Sequence, residues 1–260
     1  MEPAETPRNK KVSCIICAYN ERSTISGVLS VLSEVPAIDE VIVVDDGSSD
    51  GTQEVLRTAG DHVTVVTHAK NRGKTAALVS GFKKATGEYI LLLDADLIGL
   101  TPAHVTALLS PVLTGVADVT ISIRENSLLA YRAIGLDFVS GERVFPRALI
   151  ADRIHEMEKL PPYGFESYVN EIFIAHRLRL RCVKFRGVLN NRKYNKLGIV
   201  RGFFAEVGMI IDVFQVLTPW RAARQIMRLL DLKQRSYSIA AVRSSLLRST
   251  SLAYSRIRRQ

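Results

Sequence analysis

Asp94 and Asp96 place two carboxylates one residue apart, directly after the apolar run at residues 89–93. A run this apolar is typical of a strand buried on both faces of a parallel sheet. Open α/β sheets bind ligands at the carboxyl ends of their strands. Neighbouring carboxylates are costly to desolvate, and a bound Mg²⁺ or Mn²⁺ relieves that cost while bridging to a diphosphate. An isolated pair of this kind is usually solvated, so other motifs in the chain are needed to support a metal site here.

Three further polar segments each follow a predicted strand. They are AYNE at residues 18–21, VDDGSSDGT at residues 44–52 and NRGK at residues 71–74. An acid can accept a hydrogen bond from uracil or guanine, a ring can stack on a base, and a lysine can neutralise a diphosphate. Lys74 stands at a predicted helix start, where a cation opposes the macrodipole, so a functional reason for it is favoured. Together these segments indicate a sugar-nucleotide site.

Strand and helix patterns alternate through the first 125 residues. The predicted strands are 12–17, 40–44, 63–67, 89–93 and 119–123, with 181–185 a further candidate, and the predicted helices are 24–35, 52–59, 74–85 and 102–113. This order predicts right-handed βαβ units and an α/β fold, with a mostly parallel central sheet and helices on both faces. We divide the chain into a flexible N-terminus (1–10), an α/β domain (11–196) and a basic, amphipathic helical extension (197–260).

The ordered motifs resemble those of the family 2 glycosyltransferases, which have the GT-A fold. The matching pieces are AYNE, VVDDGSSDGT, NRGKTAALVSGFKKATGEY and LLLDADL, all within residues 11–125. The resemblance implies a GT-A, Rossmann-like domain, a nucleotide-diphosphate sugar donor, a Mg²⁺ or Mn²⁺ ion, and inversion at the anomeric carbon.

The resemblance also implies roles for individual residues. The nucleoside pocket would be lined by Ala18, Tyr19, Glu21 and Asp45. The diphosphate or ribose would be approached by Asp46, Gly73, Lys74 and Arg124. Donor and metal would be held by Asp94, Ala95 and Asp96, with Asp94 and Asp96 as the metal ligands. Among these, Lys74 and Asp96 would act in catalysis: Lys74 would stabilise the leaving diphosphate directly, and Asp96 would do so through the metal ion that it holds.

Two motifs of the second half resemble acceptor-side motifs: SGER at residues 140–143 and YGFE at residues 163–166. They imply acceptor binding by Glu142 and Arg143. In an inverting transferase a carboxylate removes the proton of an acceptor hydroxyl, and Glu166 is the first candidate for this base, with Glu142 the second. A phosphate acceptor is already an anion and hardly needs a base.

Different parts of the chain resemble two different subfamilies. The region around DADL is similar to polyprenyl-phosphate sugar transferases of the dolichol-phosphate mannosyltransferase type. The run SGER, YGFE and GVLNNRK more closely resembles glucosyl-3-phosphoglycerate synthases. In the latter a histidine three positions after the GV dipeptide helps to bind metal, and this chain has Asn191 there.

The net charge of +9 is concentrated at the C-terminal end, where residues 221–260 contain ten Lys or Arg and one acid, Asp231. Their basic, amphipathic pattern suits an anionic bilayer surface, where each cation contributes about 1 kcal/mol. The alternative is an oligomer-forming helical tail. Nucleic acid is disfavoured, because the tail lacks a regular aromatic platform. Residues 197–217 have apolar positions at helical spacing, and their charges make them a poor membrane span but a suitable core, dimer or membrane-interface helix.

The three cysteines and the polar N-terminus indicate the compartment. Cys14 and Cys17 fall in an apolar strand pattern, which favours buried thiols over a zinc or redox site. Residues 1–11 lack the apolar core of a signal peptide. We therefore expect a cytoplasmic protein, peripheral on the inner face of the membrane.

The predicted function is an inverting glycosyltransferase that moves a sugar from a nucleotide-diphosphate sugar to an anionic acceptor. A polyprenyl phosphate at the membrane surface is the first candidate acceptor. The alternative is a soluble transferase that acts on a small phosphorylated acceptor. A third hypothesis is a non-catalytic nucleotide-binding or membrane-scaffolding protein. The sugar and the base of the nucleotide stay open.

Overall fold

A computed structural model of the chain describes residues 10–60, 62–162, 164–190 and 218–234. Predictions for the N-terminus, for Tyr163, for Asn191, for the helix at 197–217 and for the tail beyond residue 234 lie outside the described residues.

Alternating strands and helices form the described chain. The strands are β1 (Val12–Ala18), β2 (Glu40–Asp45), β3 (Val63–Thr67), β4 (Tyr89–Asp94), β5 (Leu97–Ile98), β6 (Val119–Arg124), β7 (Arg143–Pro146), β8 (Leu180–Phe185) and β9 (Leu189–Asn190). The helices are α1 (Ile25–Ser33), α2 (Thr52–Arg57), α3 (Lys74–Lys84), α4 (Pro102–Leu113), α5 (Leu129–Ile134), α6 (Ile154–Met157), α7 (Phe165–Ala175) and α8 (residues 219–234). The bounds predicted for β1 to β4, β6 and α1 to α4 lie within about two residues of these.

Seven strands form one sheet in the order β3-β2-β1-β4-β7-β6-β8. All neighbouring pairs are parallel except those of β7, which runs antiparallel to both β4 and β6. The predicted mostly parallel α/β sheet is confirmed. The insertion of β7 was not predicted, because its four residues lie in a segment without a clear period. The short strands β5 and β9 pair separately, just beyond Asp96.

Both faces of the sheet are covered by helices, as predicted. Alternate strand residues enter two different cores: Ile15 and Leu92 pack in one, Ile16 and Leu93 in the other. The first core receives residues of α3, α7 and α8, and the second receives residues of α1 and α4. This burial fixes the strand register, and with it the places where the carboxyl ends of the strands present their loops.

The described part of the basic extension, α8, packs on the domain. Leu229 and Leu232 are buried in the first core, and Gln225 is 1% exposed. The helical extension is therefore present, but the apolar face that we expected to meet a membrane is covered here by the protein itself. Its arginines stay exposed. No helix in the described ranges is long and apolar enough to cross a bilayer.

Cys14 and Cys17 lie in β1, and both are free thiols. Burial raises the pKa of each thiol well above its ordinary value. Their environment is that of the buried strand cysteines that the sequence favoured.

Candidate active site

Five charged side chains form a row of alternating sign at the carboxyl edge of the sheet. Lys74 Nζ lies 2.8 Å from Asp94 Oδ1 and 3.0 Å from Glu166 Oε1. Arg124 Nη1 lies 3.2 Å from Asp94 Oδ2 and 2.6 Å from Glu142 Oε1. Asp94 is thus held between two cations, and each cation also reaches a glutamate of the second half of the chain.

Separate elements of the fold supply the members of this row. Lys74 begins α3, and Glu166 lies in the first turn of α7. Asp94 ends β4, Arg124 ends β6, and Glu142 directly precedes β7. Because β7 is antiparallel, its start lies at the same sheet edge as the ends of β4 and β6. The fold therefore brings together side chains from both predicted motif sets.

The row is stabilised in its charged form. Burial opposes ionisation of Asp94, but Lys74 and Arg124 overcome that effect and hold its pKa well below the ordinary value. Burial likewise opposes the charge of Lys74, and Asp94 and Glu166 outweigh it, so the pKa of Lys74 is raised well above its usual value. Neutralising one member would leave its neighbours with an uncompensated, partly buried charge.

Glu142 is fully buried behind Arg124. Its Oε2 accepts hydrogen bonds from Ser122 Oγ at 2.5 Å and from Ser140 Oγ at 2.6 Å. With Arg124 on Oε1, both carboxylate oxygens are engaged. The structure thus places Glu142 as a support for Arg124. Ser122 was not predicted from the sequence. It lies two residues before Arg124 in β6, so the alternation of side chains along a strand places both on the same face.

Arg143 is also fully buried, unlike a residue that meets an acceptor in solution. Its guanidinium donates to Ser140 O and to Asn170 Oδ1, the latter at 3.2 Å. Burial lowers the pKa of Arg143. The structure therefore does not bring Arg143 to the exposed edge with Asp94 and Glu166.

The residues predicted for the nucleoside lie at the ends of β1 and β2. Ala18 and Asp45 are register partners there, and both are buried. Asp45 accepts hydrogen bonds from Ser48 N at 3.1 Å and Gln53 Nε2 at 2.8 Å. Tyr19, which follows Ala18, is 46% exposed and presents its ring to solvent.

Glu21 is mostly buried in the loop between β1 and α1. Its carboxylate accepts from Thr24 Oγ1 at 3.0 Å, and its backbone N–H donates to Thr52 Oγ1 at 2.9 Å. These contacts join the AYNE loop to the start of α2.

Asp46 holds the backbone of the NRGK loop in place through hydrogen bonds. Its carboxylate accepts from the backbone N–H groups of Arg72 and Gly73, at 2.9 Å and 2.8 Å, and lies 2.6 Å from His68 Nδ1. Gly73 has φ +89°, and a Cβ there would lie 2.8 Å from Pro162 Cβ, so a glycine is required. Asp46 and Gly73 thus fix the backbone that aims Lys74. His68 was not predicted, although it directly follows β3.

Asp96 lies beyond the buried Ala95, partly exposed, next to Arg124. Burial lowers the pKa of Arg124, but a set of carboxylates that includes Asp96 raises it overall. The carboxylates that act to raise the pKa values of the three cations Lys74, Arg124 and Arg143 are five: Asp94, Asp96, Asp137, Glu142 and Glu166. The excess of negative charge beside a partly exposed carboxylate fits a divalent cation.

The protein side chains at this edge do not by themselves complete the coordination of a metal ion. Within the described ranges, no group of three or more His, Cys, Asp or Glu side chains could enclose a metal ion. Mg²⁺ is commonly held by one or two carboxylates together with substrate phosphates. The residues at this edge therefore fit a cation that is shared with a bound diphosphate.

Comparisons with known proteins agree with this geometry. Residues 13–137 match the family model described as Glycosyl transferase family 2. An undecaprenyl-phosphate 4-deoxy-4-formamido-L-arabinose transferase of Aeromonas hydrophila is 34% identical over 125 residues, covering 45% of this chain and 38% of that protein. The chain therefore spans well under half the length of this curated relative.

Two solved structures of glucosyl-3-phosphoglycerate synthase from Mycobacterium tuberculosis are similar over much more of the chain. The complex with Mn²⁺, UDP and glucosyl-3-phosphoglycerate has a TM-score of 0.60 and 25% identity, covering 83% of this chain and 85% of that one. The complex with Mg²⁺ and UDP also has a TM-score of 0.60 and 25% identity, covering 83% and 84%. The GT-A fold is confirmed, and residues 13–137 are the part of the chain that is similar to the Glycosyl transferase family 2 model.

Proposed function

We propose that this protein transfers a sugar from a nucleotide-diphosphate sugar to a phosphorylated acceptor, with inversion at the anomeric carbon. The main observation that supports this proposal is the row of charged side chains, which runs from Glu166 through Lys74, Asp94 and Arg124 to Glu142. It joins the donor-side motifs to the acceptor-side motifs at one edge of the sheet.

The donor's nucleoside would lie over the ends of β1 and β2. Tyr19 has the exposed ring that stacking on a base requires. The carboxylate of Asp45 accepts from the Gln53 amide, and a base N–H could replace that donor. Ala18, Glu21 and Ala95 would shape the surrounding surface.

The diphosphate would lie next to Asp96 and the two cations. Asp94 and Asp96 are the candidate metal ligands, and both oxygens of Asp94 also accept from Lys74 and Arg124. A Mg²⁺ or Mn²⁺ ion bound there would supply Lewis-acid stabilisation of the leaving diphosphate. Lys74 and Arg124 would balance the charge that develops on the same group, and Asp94 would hold both in place.

The acceptor would approach from the side of α7. Glu166 is the candidate base for a hydroxyl acceptor, since it lies in the row and is paired with Lys74 at 3.0 Å. For a phosphate acceptor the nucleophile is already an anion, and Glu166 would then act mainly by positioning Lys74. Glu142 and Arg143, both buried, would support this edge without touching the acceptor.

Two acceptors are candidates, each favoured by one observation. The 34% identity to an undecaprenyl-phosphate transferase favours a polyprenyl phosphate, reached from an anionic membrane surface through residues 221–260. The fold shared over 83% of the chain, including the acceptor half, favours a small phosphorylated acceptor. We take the polyprenyl phosphate as the first candidate.

The test is release of nucleotide diphosphate from UDP- and GDP-sugars, with Mg²⁺ or Mn²⁺, in the presence of each acceptor. We expect Asp96→Asn to abolish release, while Asp152→Asn, at an exposed position outside the row, leaves it unchanged. No release by the wild-type protein with any donor would favour a non-catalytic nucleotide-binding protein. Equal release by both variants would overturn the assignment of Asp96.

A further inference from the structure

A cavity of about 370 Å³ lies between α7 and α8, and three arginines of α8 line it: Arg221, Arg224 and Arg228. Ser167 and Tyr168 of α7 contribute to the opposite wall. None of the residues that line the cavity belongs to the charged row at the sheet edge. The cavity is therefore a separate feature, with a chemistry of its own.

The arginines follow one another at spacings of three and four residues, so they share one face of α8. Like charges at these spacings repel each other and destabilise a helix. All three side chains are exposed, and none forms an ion pair with a carboxylate in the part of the chain that the structure describes. The helix thus presents three neighbouring like charges, whose repulsion an anionic ligand would reduce.

The cavity contains one acid, Glu171, which is oriented by a neighbour on α8. Glu171 Oε1 accepts from Gln225 Nε2 at 2.6 Å. The net charge of the lining is therefore positive by two.

Gln225 also fixes the arginine face in place. Besides Glu171, its Nε2 donates to Ser167 O at 3.1 Å, and its Oε1 accepts from Asn170 Nδ2 at 3.1 Å. Leu229 and Leu232 anchor the same helix in the core. The backbone that carries the three guanidinium groups is therefore held in place on the domain before a ligand binds.

We propose that this cavity is a binding site for a phosphomonoester. Guanidinium groups bind phosphate oxygens through paired, charge-assisted hydrogen bonds, and several of them around one cavity match a doubly charged group. The volume suffices for a phosphate with a small organic part. A soluble metabolite and the headgroup of a lipid phosphate present the same chemistry. The site does not depend on sugar transfer, so it goes beyond the proposed function.

The test is calorimetric titration of the full chain with glycerol 3-phosphate and with a short-chain phosphatidic acid below its micelle concentration. The cavity variant is Arg224→Gln/Arg228→Gln, which also relieves repulsion and should keep the fold. The control variant, Arg57→Gln/Lys84→Gln, removes two exposed charges elsewhere. We expect saturable binding by the wild-type protein and the control, weakened at least about tenfold in the cavity variant.

A second titration, with UDP and Mg²⁺ at saturation, separates this cavity from the sheet edge. Phosphomonoester binding that is unchanged by UDP and weakened in the cavity variant supports the proposal, and its loss on addition of UDP would show that the anion occupies the donor site instead. Preference for glycerol 3-phosphate would indicate a soluble phosphoester, preference for phosphatidic acid would indicate a lipid, and comparable affinity would show that the phosphate group alone is recognised. The proposal is overturned if the wild-type protein binds neither ligand, or if both variants bind equally well.

Discussion

Lys74 Nζ lies 2.8 Å from Asp94 Oδ1, which connects the first residue of α3 to the last residue of β4. The same ammonium group lies 3.0 Å from Glu166 at the start of α7. One lysine thus bridges the DxD carboxylate and the acceptor-side glutamate. Removing its charge should therefore affect both halves of the site.

Lys74→Met should lower the rate of nucleotide diphosphate release by about a hundredfold or more, because the leaving group loses a fixed cation. Lys83→Met is the matched control, since Lys83 lies on the same helix and is exposed, with its own ion pair to Glu158. Steady-state kinetics with a saturating donor measures the effect. Similar rates for the two variants would remove Lys74 from the mechanism.

Glu166→Gln distinguishes the two acceptors. With a hydroxyl acceptor, loss of the base should slow transfer by about a hundredfold or more. With a polyprenyl phosphate the expected decrease is closer to tenfold, since only the support of Lys74 is lost. Transfer assays with both acceptors show whether Glu166 acts as a base or only supports Lys74. Glu158→Gln, which removes the exposed partner of Lys83, serves as the control and should leave both rates unchanged.

Gly141→Ala should disturb Asp94 directly, because a Cβ at residue 141 would overlap the Asp94 carboxylate. We expect donor binding and catalysis to fall while the protein stays folded, as judged by circular dichroism. Gly27→Ala provides the contrast, because a Cβ at that helical position has no neighbour within 4 Å. It should leave activity unchanged and stabilise the protein by about 0.5–1 kcal/mol. Normal kinetics of Gly141→Ala would show that Asp94 has room to move.

Asp118 and Arg179 join the beginnings of β6 and β8. Asp118 Oδ1 lies 2.6 Å from Arg179 Nη2, and Oδ2 accepts from Arg179 Nε and from its backbone N–H. Burial raises the pKa of Asp118, but the hydrogen bonds of Arg179 outweigh it, so the pKa is lowered. Stability from this pair is therefore present above the unfolded-state pKa and lost as the pH falls through the folded-state pKa.

Asp118→Asn should accordingly lower the free energy of unfolding by about 1 kcal/mol at neutral pH, since the pair is about one-third exposed. The difference from wild type should shrink as the pH falls through the lowered folded-state pKa of Asp118, because the protonated carboxyl group no longer carries the charge. Urea unfolding across a series of pH values from neutral to acid measures it, with Asp152→Asn as the control. A constant difference across this range would mean that the charge of Asp118 does not contribute.

The local pattern of the sequence was enough to determine the first half of the fold. β1 to β4 and α1 to α4 follow from apolar periodicity and from turn residues, which depend on neighbours close in the chain. Since parallel strands end at the same edge, the convergence of AYNE, VDDG, NRGK and DAD also followed from sequence. Lys74, Asp94 and Arg124 accordingly lie together, as expected.

Only the tertiary structure decided what the remaining site residues contact. Glu142 reaches Arg124 because β7 inserts antiparallel between β4 and β6, and no local pattern encodes that pairing. Asp46 turned inward to the NRGK backbone, and the apolar face of α8 packed on the core instead of remaining available to a membrane. Each outcome depends on surfaces contributed by residues far apart in the chain. Burial of those surfaces, and not the local period of the sequence, selects the arrangement.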